Sequence, residues 1–291
     1  MDTSINKEEE SFISLLKKLL LKYEQQGTRD VRDGHSRVSL FGAQLHFDLN
    51  KSFPLFTHRQ FFVRGIFEEL MFFLRGQTDN KILEDKKVYI WSPWNGILDL
   101  KKPTELGKIY GHMWRNFGQI SLTNGDILHQ GFDQIEWIVN EIKTNPASSR
   151  LIVSGWDPAV STQTPKEAVL PTCHTLFQFF VDDGKLSCQL YQRSADISLA
   201  GGFNVASYAL LTHMVAQQCG LDVGTFVWTL GDYHLYSNQI EDVRKMVEQP
   251  LHVFPQLHLE KAKDIYSYEW SDITINNYQH SGKMENLKVA V

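Results

Sequence analysis

Pro171-Thr172-Cys173-His174 opens an alternating apolar segment, and Gln189-Leu190-Tyr191-Gln192-Arg193-Ser194-Ala195-Asp196 closes the next one. A thiol and a guanidinium are thus separated by one sequence hairpin. Asp183-Gly184, flanked by Asp182 and Lys185, predicts a two-residue turn. That turn sets Phe177 against Leu190, Phe179 against Cys188 and Val181 against Leu186, a wholly apolar face. Continued to the open end, the same register sets Cys173 against Ser194 and His174 against Arg193. A plain ladder would then point Cys173 and Arg193 to opposite faces, so chemistry between them requires a bulge or strong twist near the strand ends. The chemistry is nucleophilic: only the thiolate attacks, and a neighbouring arginine favours it. A solitary Cys is otherwise a small buried hydrophobe, the reading adopted for Cys188 on the apolar face and for Cys219 beside Gly220. His174 points away from Cys173 along a strand, so it is not the base of a Cys/His pair.

The elements that must position these groups follow from periodicity. Phe12, Leu15, Leu16, Leu19 and Tyr23 predict a helix over 7–25 stopped by Gly27. Residues 29–37 read as a polar loop with Arg32 at its centre, and 38–49 as strands with a turn near Gly42. The segment 61–74 is apolar on most faces of a helix yet carries Glu68 and Glu69. Glu69 falls on the stripe of Phe62, Ile66, Leu70 and Phe73, which makes it either an acid/base with a raised pKa or half of a buried ion pair. Trp91 and Trp94 flank Ser92-Pro93 in a loop fit for a flat aromatic ligand or for core packing. A helix is expected over 132–143 and a strand over 150–156, with Arg150 either solvated or a ligand arm. The nearly uniformly apolar run 203–219 predicts a buried helix with Asn204 as its N-cap. Phe226 to Thr229 reads as a strand that empties into Gly231-Asp232-Tyr233-His234-Leu235-Tyr236, where His234 has no metal-ligand partner at usable spacing. The fold class is α/β (α+β): one domain over 1–291, a large mixed sheet flanked by helices.

Composition narrows the function. The chain has 291 residues, 42% of them hydrophobic, enough for a substantial core without repeats or linkers. Three cysteines without paired spacing exclude a disulfide framework and a structural zinc site, and the first residues lack the pattern of a signal peptide, so a reducing cytoplasm is expected. No apolar stretch reaches membrane-spanning length. A net charge of −5 provides no field for nucleic acid, so an anionic ligand must be small and held by a few arginines.

From about Arg32 to Val291 the chain resembles the folate-dependent thymidylate synthase family. The resemblance is carried by Pro171 to His174, Gln189 to Asp196, Phe203-Asn204-Val205-Ala206-Ser207-Tyr208, and Leu230-Gly231-Asp232 with His234-Leu235-Tyr236. It implies a homodimer packed through its sheets, and transfer of one carbon from 5,10-methylenetetrahydrofolate to C5 of dUMP followed by reduction. By that resemblance Cys173 adds to C6 of the pyrimidine, Arg193 activates the thiol and holds phosphate, and Glu69 with His174 and ordered water serves the ring O4. Tyr110 takes part in removing the C5 proton. Arg32, Ser194 and the partner subunit's Arg150 bind phosphate, His234 and Tyr236 bind the ribose 3′-hydroxyl, and Asn204 with Gln192 orders the base. Asp196 bonds the pterin, with Trp91, Trp94, Leu199, Ala200 and Phe203 as walls and Val291 at the end of a closing tail, 284–291. A helix within 1–28 precedes the phosphate loop. No metal is implied.

Three places depart from the family pattern. Ser149-Arg150 stands where the family has two adjacent arginines, so one cross-subunit phosphate contact is missing. Arg37 stands where the family's loop carries Thr and is either a substitute for that missing phosphate contact or a surface arginine. Leu199-Ala200-Gly201-Gly202-Phe203 replaces Gly-Leu-Pro or Gly-Val-Pro before Phe-Asn: Ala200 adds a methyl beside the expected pterin plane, and Gly202 lacks the rigidity of proline. Two alternatives therefore stand beside the synthase: a dUMP 5-hydroxymethylase, in which water replaces hydride, and a catalytically silent nucleotide-binding homologue. Retention of Cys173, Glu69, Tyr110 and Asp196 counts against the silent homologue.

Overall fold

The computed structural model describes residues 6–32, 35–98, 102–121, 126–162 and 166–284. Helix α1 (Lys7–Gln26) buries Phe12, Leu15, Leu16 and Leu19; Asn6 caps it by accepting the Glu9 N–H, and Gly27 ends it. Strands β1 (Arg29–Arg32) and β2 (His35–Asp48) pair antiparallel. Two expectations change here: Arg32 ends a strand instead of centring a loop, and β2 runs straight through Gly42 with its register kept from Phe41↔Asp232 to Ala43↔Leu230. Helices α2 (Val63–Leu74), α3 (Lys81–Asp85) and α4 (Tyr110–Arg115) follow, the last two separated by a 3₁₀ turn at Ser92–Trp94. A small hairpin of β3 (Ile120–Ser121) and β4 (Ile127–His129) leads to α5 (Gln134–Thr144), β5 (Ile152–Ser154) and α6 (Pro158–Ser161). Then come β6 (His174–Asp182), β7 (Lys185–Asp196), α7 (Gly201–Cys219), β8 (Asp222–Tyr236) and α8 (Ile240–Met246). Strands β9 (Gln256–Leu259) and β10 (Ile273–Asn276) form a separate pair.

The main sheet runs β1-β2-β8-β7-β6-β5, with β7 and β8 parallel and the other neighbours antiparallel. Parallel pairing needs a crossover, and α7 supplies it. Its sequence is apolar on nearly every side because nearly every side is buried. Tyr208 of α7 stacks on Phe226 of β8 and meets Phe177 of β6 edge-on at 5.3 Å. On the other face of the sheet Phe180 and Ile152 stand exposed, and Gln44 and Gln189 both donate to Thr229 Oγ1.

The β6–β7 hairpin has the expected two-residue turn, with Asp183 and Gly184 both at positive φ, and pairs Phe177↔Leu190, Phe179↔Cys188 and Val181↔Leu186. The register then shifts between His174 and Leu176, the bulge that joint chemistry of Cys173 and Arg193 requires. Its effect is a slip of one residue: His174 faces Gln192, not Arg193, and the Arg193 N–H donates to the Cys173 carbonyl at 3.0 Å. Cys173 and Arg193 are therefore cross-strand neighbours. Cys188 takes its place in the core, where burial pushes the thiol up to about 12.

The start of β6, the ends of β5, β7 and β8 and the start of β2 coincide at one margin of the sheet, because each antiparallel neighbour reverses direction. Cys173, Arg193, Asp196 and His234 all lie at this margin.

Candidate active site

Cys173 immediately precedes β6. Its N–H donates to the Tyr110 hydroxyl oxygen at 2.8 Å, and the His174 N–H approaches the same oxygen at 3.4 Å. Arg193 folds back over this turn: Nε donates to the Thr172 carbonyl at 2.9 Å and Nη2 to the Pro171 carbonyl at 3.0 Å. The Trp156 ring lies 5.0 Å beneath the guanidinium and fixes it further. The half-buried Cys173 thus has an arginine held on the neighbouring strand by two backbone carbonyls. Burial and the adjacent Cys173 raise the Tyr110 phenol well above its usual range, so it keeps its proton. Burial also lowers His174 to about 4, leaving a neutral imidazole whose buried Nδ1 has no hydrogen-bond partner. Its ring lies 4.9 Å from that of Tyr110.

Two adjacent carboxylates of α2 have separate fates. Glu68 is the one in the ion pair, with Lys86 and, at 3.7 Å, Arg64. Glu69 instead accepts from Trp91 Nε1 at 2.7 Å, and burial lifts its carboxyl to about 7. The alternative of an ion pair at Glu69 is thereby replaced by an indole hydrogen bond. Trp91 carries the arrangement onward, 5.4 Å from the Trp94 ring and 6.3 Å from that of Tyr110.

Asn204 is not an N-cap. Helix α7 begins three residues earlier, Ala200 occupies the cap position, and the Asn204 N–H already bonds the Ala200 carbonyl. Freed from capping, its Nδ2 donates to Gln192 Oε1 at 3.2 Å. The same oxygen accepts from Trp228 Nε1 at 2.9 Å, and Gln192 Nε2 donates to the Ser194 carbonyl at 3.1 Å. With an indole as the second donor, the amide of Gln192 has one orientation, and that orients Asn204.

Asp196 ends β7. Its carboxylate accepts from Ser198 Oγ, the Leu199 N–H and, at 2.6 Å, Gln239 Nε2. The following segment is clamped from outside by Arg59, whose Nη2 donates to the Leu199 carbonyl at 2.7 Å and to that of Ser198 at 3.3 Å. Burial lowers this guanidinium to about 10, which still leaves it charged. Arg59 lies 4.1 Å over the Phe61 ring, and Phe61 meets Phe203 edge-on at 5.2 Å. A Cβ on Gly202 would strike the Phe61 ring and press on Phe56. The absence of proline there is thus matched by a phenyl ring in the space a side chain would fill, and carbonyl bonds to Arg59 supply the rigidity.

At the third corner His234 lies across the ladder from Asp196, Asp232 from Ser194, and the Tyr236 ring meets His234 edge-on at 5.2 Å. Arg37 is not a solvated surface arginine: Nη2 donates to Asp232 Oδ2 at 2.7 Å, and its side chain is 18% exposed. Arg150 does not join the cluster. It is 77% exposed and reaches only as far as Glu141, at 3.9 Å. Arg32 is placed here by its backbone, opposite His35. Val291 and the rest of the tail from 285 lie outside the described residues.

Arg59, Phe61, Trp156 and Gln239 went unread in the sequence. The first two leave a faint signal, a cation next to an aromatic run ahead of α2. Their placement depends on a contact remote in sequence: Glu9 of α1 accepts from the Thr57 N–H at 2.6 Å and faces His58 Nδ1 at 2.8 Å. No periodicity encodes that.

The family model described as thymidylate synthase matches residues 10–291. A bifunctional dihydrofolate reductase-thymidylate synthase of Paramecium tetraurelia is 40% identical, covering 98% of this chain, which spans 62% of that relative's length. A thymidylate synthase of Francisella philomiragia subsp. philomiragia is 43% identical, covering 89% of this chain and 94% of the relative. The chain belongs to the thymidylate synthase family.

Proposed function

We propose that the protein transfers one carbon from 5,10-methylenetetrahydrofolate to C5 of dUMP and reduces it, giving dTMP and dihydrofolate. The observation that carries this reading is the one-residue slip that sets Cys173 beside Arg193, next to the oriented Asn204–Gln192 pair. The thiolate of Cys173 adds to C6 of the pyrimidine, and C5 becomes an enolate-like carbon nucleophile. Arg193 spends Nε and Nη2 on carbonyls and turns Nη1 to the phosphate. Asn204 gives one amide proton to Gln192, its second to uracil O4, and accepts from N3–H; cytosine presents the opposite pattern at both atoms.

Glu69, with a carboxyl near 7, exchanges protons at neutral pH and serves O4 together with neutral His174. Tyr110 assists removal of the C5 proton. His234 and Tyr236 hold the 3′-hydroxyl, and Arg32 and Ser194 join Arg193 at the phosphate. The folate, when bound, supplies both the carbon and the hydride. Trp91, Trp94, Leu199, Ala200 and Phe203 line its site, and Asp196, with three of about four acceptor positions filled, keeps one for a pterin N–H. The closing tail, 284–291, excludes water.

The exposed sheet face with Ile152 and Phe180 is proposed as the homodimer interface, across which the outward Arg150 reaches the partner's phosphate. The domain extends over the whole chain, 1–291. The cytoplasm is the proposed compartment; among the described residues no helix is long and apolar enough to cross a membrane.

Water in place of hydride is not favoured, since the named relatives are thymidylate synthases and Phe61 with Arg59 compensates the altered Ala200 to Gly202 segment. Purified protein given dUMP and methylenetetrahydrofolate should raise the dihydrofolate absorbance and yield dTMP by mass. A product heavier by one oxygen, with no absorbance rise, would replace this reading by the hydroxymethylase.

A further inference from the structure

Asp232 has no part in the reaction just described, yet it is the hub of a chain of contacts that begins at Arg37 and ends at a ribose ligand. Arg37 Nη2 donates to Asp232 Oδ2 at 2.7 Å, and the other oxygen, Oδ1, lies 3.0 Å from His234 Nδ1. Arg29 approaches Oδ2 from farther out, at 3.7 Å. The two oxygens are therefore gripped by different partners, so the carboxylate cannot rotate without losing one. A cleft of about 370 Å³ lined by Lys22, Arg29, Arg37, Ser39 and Asp232 opens beside it, so water competes for the carboxylate unless Arg37 holds it. Partial burial opposes ionisation of Asp232, but the bond to His234 and the Arg37 charge outweigh it and keep the carboxyl below its usual range.

An ionised carboxylate only accepts. A ring proton must then sit on His234 Nδ1, and the tautomer so fixed leaves Nε2 as the acceptor. His234 is itself 3% exposed, so few solvent contacts compete with this arrangement. We propose that Arg37 and Asp232 are positioning residues that fix the ring plane and tautomer of His234, so that Nε2 accepts the 3′-hydroxyl proton of the nucleotide. The inference rests on the ribose reading of His234.

Two measurements separate the inference from that reading. The first is ¹⁵N NMR of the unliganded, histidine-labelled protein, with His234 assigned by its loss in His234→Gln. The proton is expected on Nδ1, and Asp232→Ala should move it towards Nε2; a proton on Nε2 in the parent would overturn the proposal whatever the nucleotide does. The second is calorimetric binding of dUMP and of its 3′-deoxy analogue. Arg37→Thr should cut the preference for the 3′-hydroxyl about tenfold, and Arg37→Lys, which keeps the charge, should restore part of it. Equal weakening of both ligands would mean a general structural role, and an unchanged preference would mean no role; either overturns the proposal. Failure of the parent to bind dUMP would instead remove the nucleotide reading itself.

Discussion

At the proposed nucleotide end of the site, Cys173, Arg193, Gln192 and Asn204 are tied by hydrogen bonds to backbone atoms and to one another, while at the proposed folate end Leu199 to Phe203 rest on Arg59 and the Phe61 ring. The first region is specified by ladder register and one bulge, which leave each atom a single address. The second is specified by shape: the space a side chain on Gly202 would need is filled by the Phe61 ring. Departures from the family pattern accordingly gather at the folate end and at the phosphate rim, and spare the strands that hold the thiol.

The sharpest way to break this contrast is at the sulfur. Cys173→Ala should lower kcat by about 10⁴-fold or more while dUMP still binds, measured by release of hydrogen from C5 and by calorimetry. Turnover close to the parent's would remove the nucleophile.

The paired carboxylates of α2 sharpen it next. Glu69→Gln should lower kcat by about 10²–10³-fold. Glu68→Gln should cost about 1–2 kcal/mol of stability through its ion pair and leave kcat near the parent's. Burial raises Glu69 from 4.5 to about 7, so the folded state binds its proton more tightly than the unfolded chain does. Its contribution to stability is complete below pH 4.5, is lost as pH rises through about 7, and leaves an ionised buried group as a liability above that. Glu69→Gln should therefore raise Tm relative to the parent more at pH 8 than at pH 5. A pH-independent difference would contradict the shifted carboxyl.

Asn204→Asp places an acceptor against Gln192 Oε1, which Trp228 holds in place, and should shift the kcat/KM ratio from dUMP towards dCMP by about 100-fold. Indifference to the change would mean that Asn204 does not read the base. The smallest effect is expected at the folate end. Gly202→Ala should raise KM for the folate about 5–10-fold by pressing on Phe61, with KM for dUMP held, and Phe61→Ala should recover part of the loss. Equal changes in both KM values would erase the distinction between the two ends.

The comparison also explains what was legible in the sequence. The hairpin, its turn and the need for a bulge followed from alternation and from Asp183-Gly184, because register is a local property. Glu69 stood out because a carboxylate on an apolar stripe is visible in any helical projection, whereas its bond to Trp91, which was read only as a ligand wall or core indole, joins a separate loop and was not visible. Asn204 was misplaced as a cap since Gly201 and Gly202 read as a breaker, yet both lie inside α7, where Phe61 and core packing override glycine's weak helix propensity. Arg59 and Gln239 act through contacts 140 and 43 residues away in sequence, and only the folded chain brings those partners together.

The most direct test is a covalent one. Incubate the protein with 5-fluoro-dUMP and methylenetetrahydrofolate, weigh the intact chain and map the modified peptide. The mass should rise by one nucleotide and one folate, with both carried on the peptide that contains Cys173 and absent from Cys173→Ala. An unchanged mass, or a label on Cys188 or Cys219, would contradict the account.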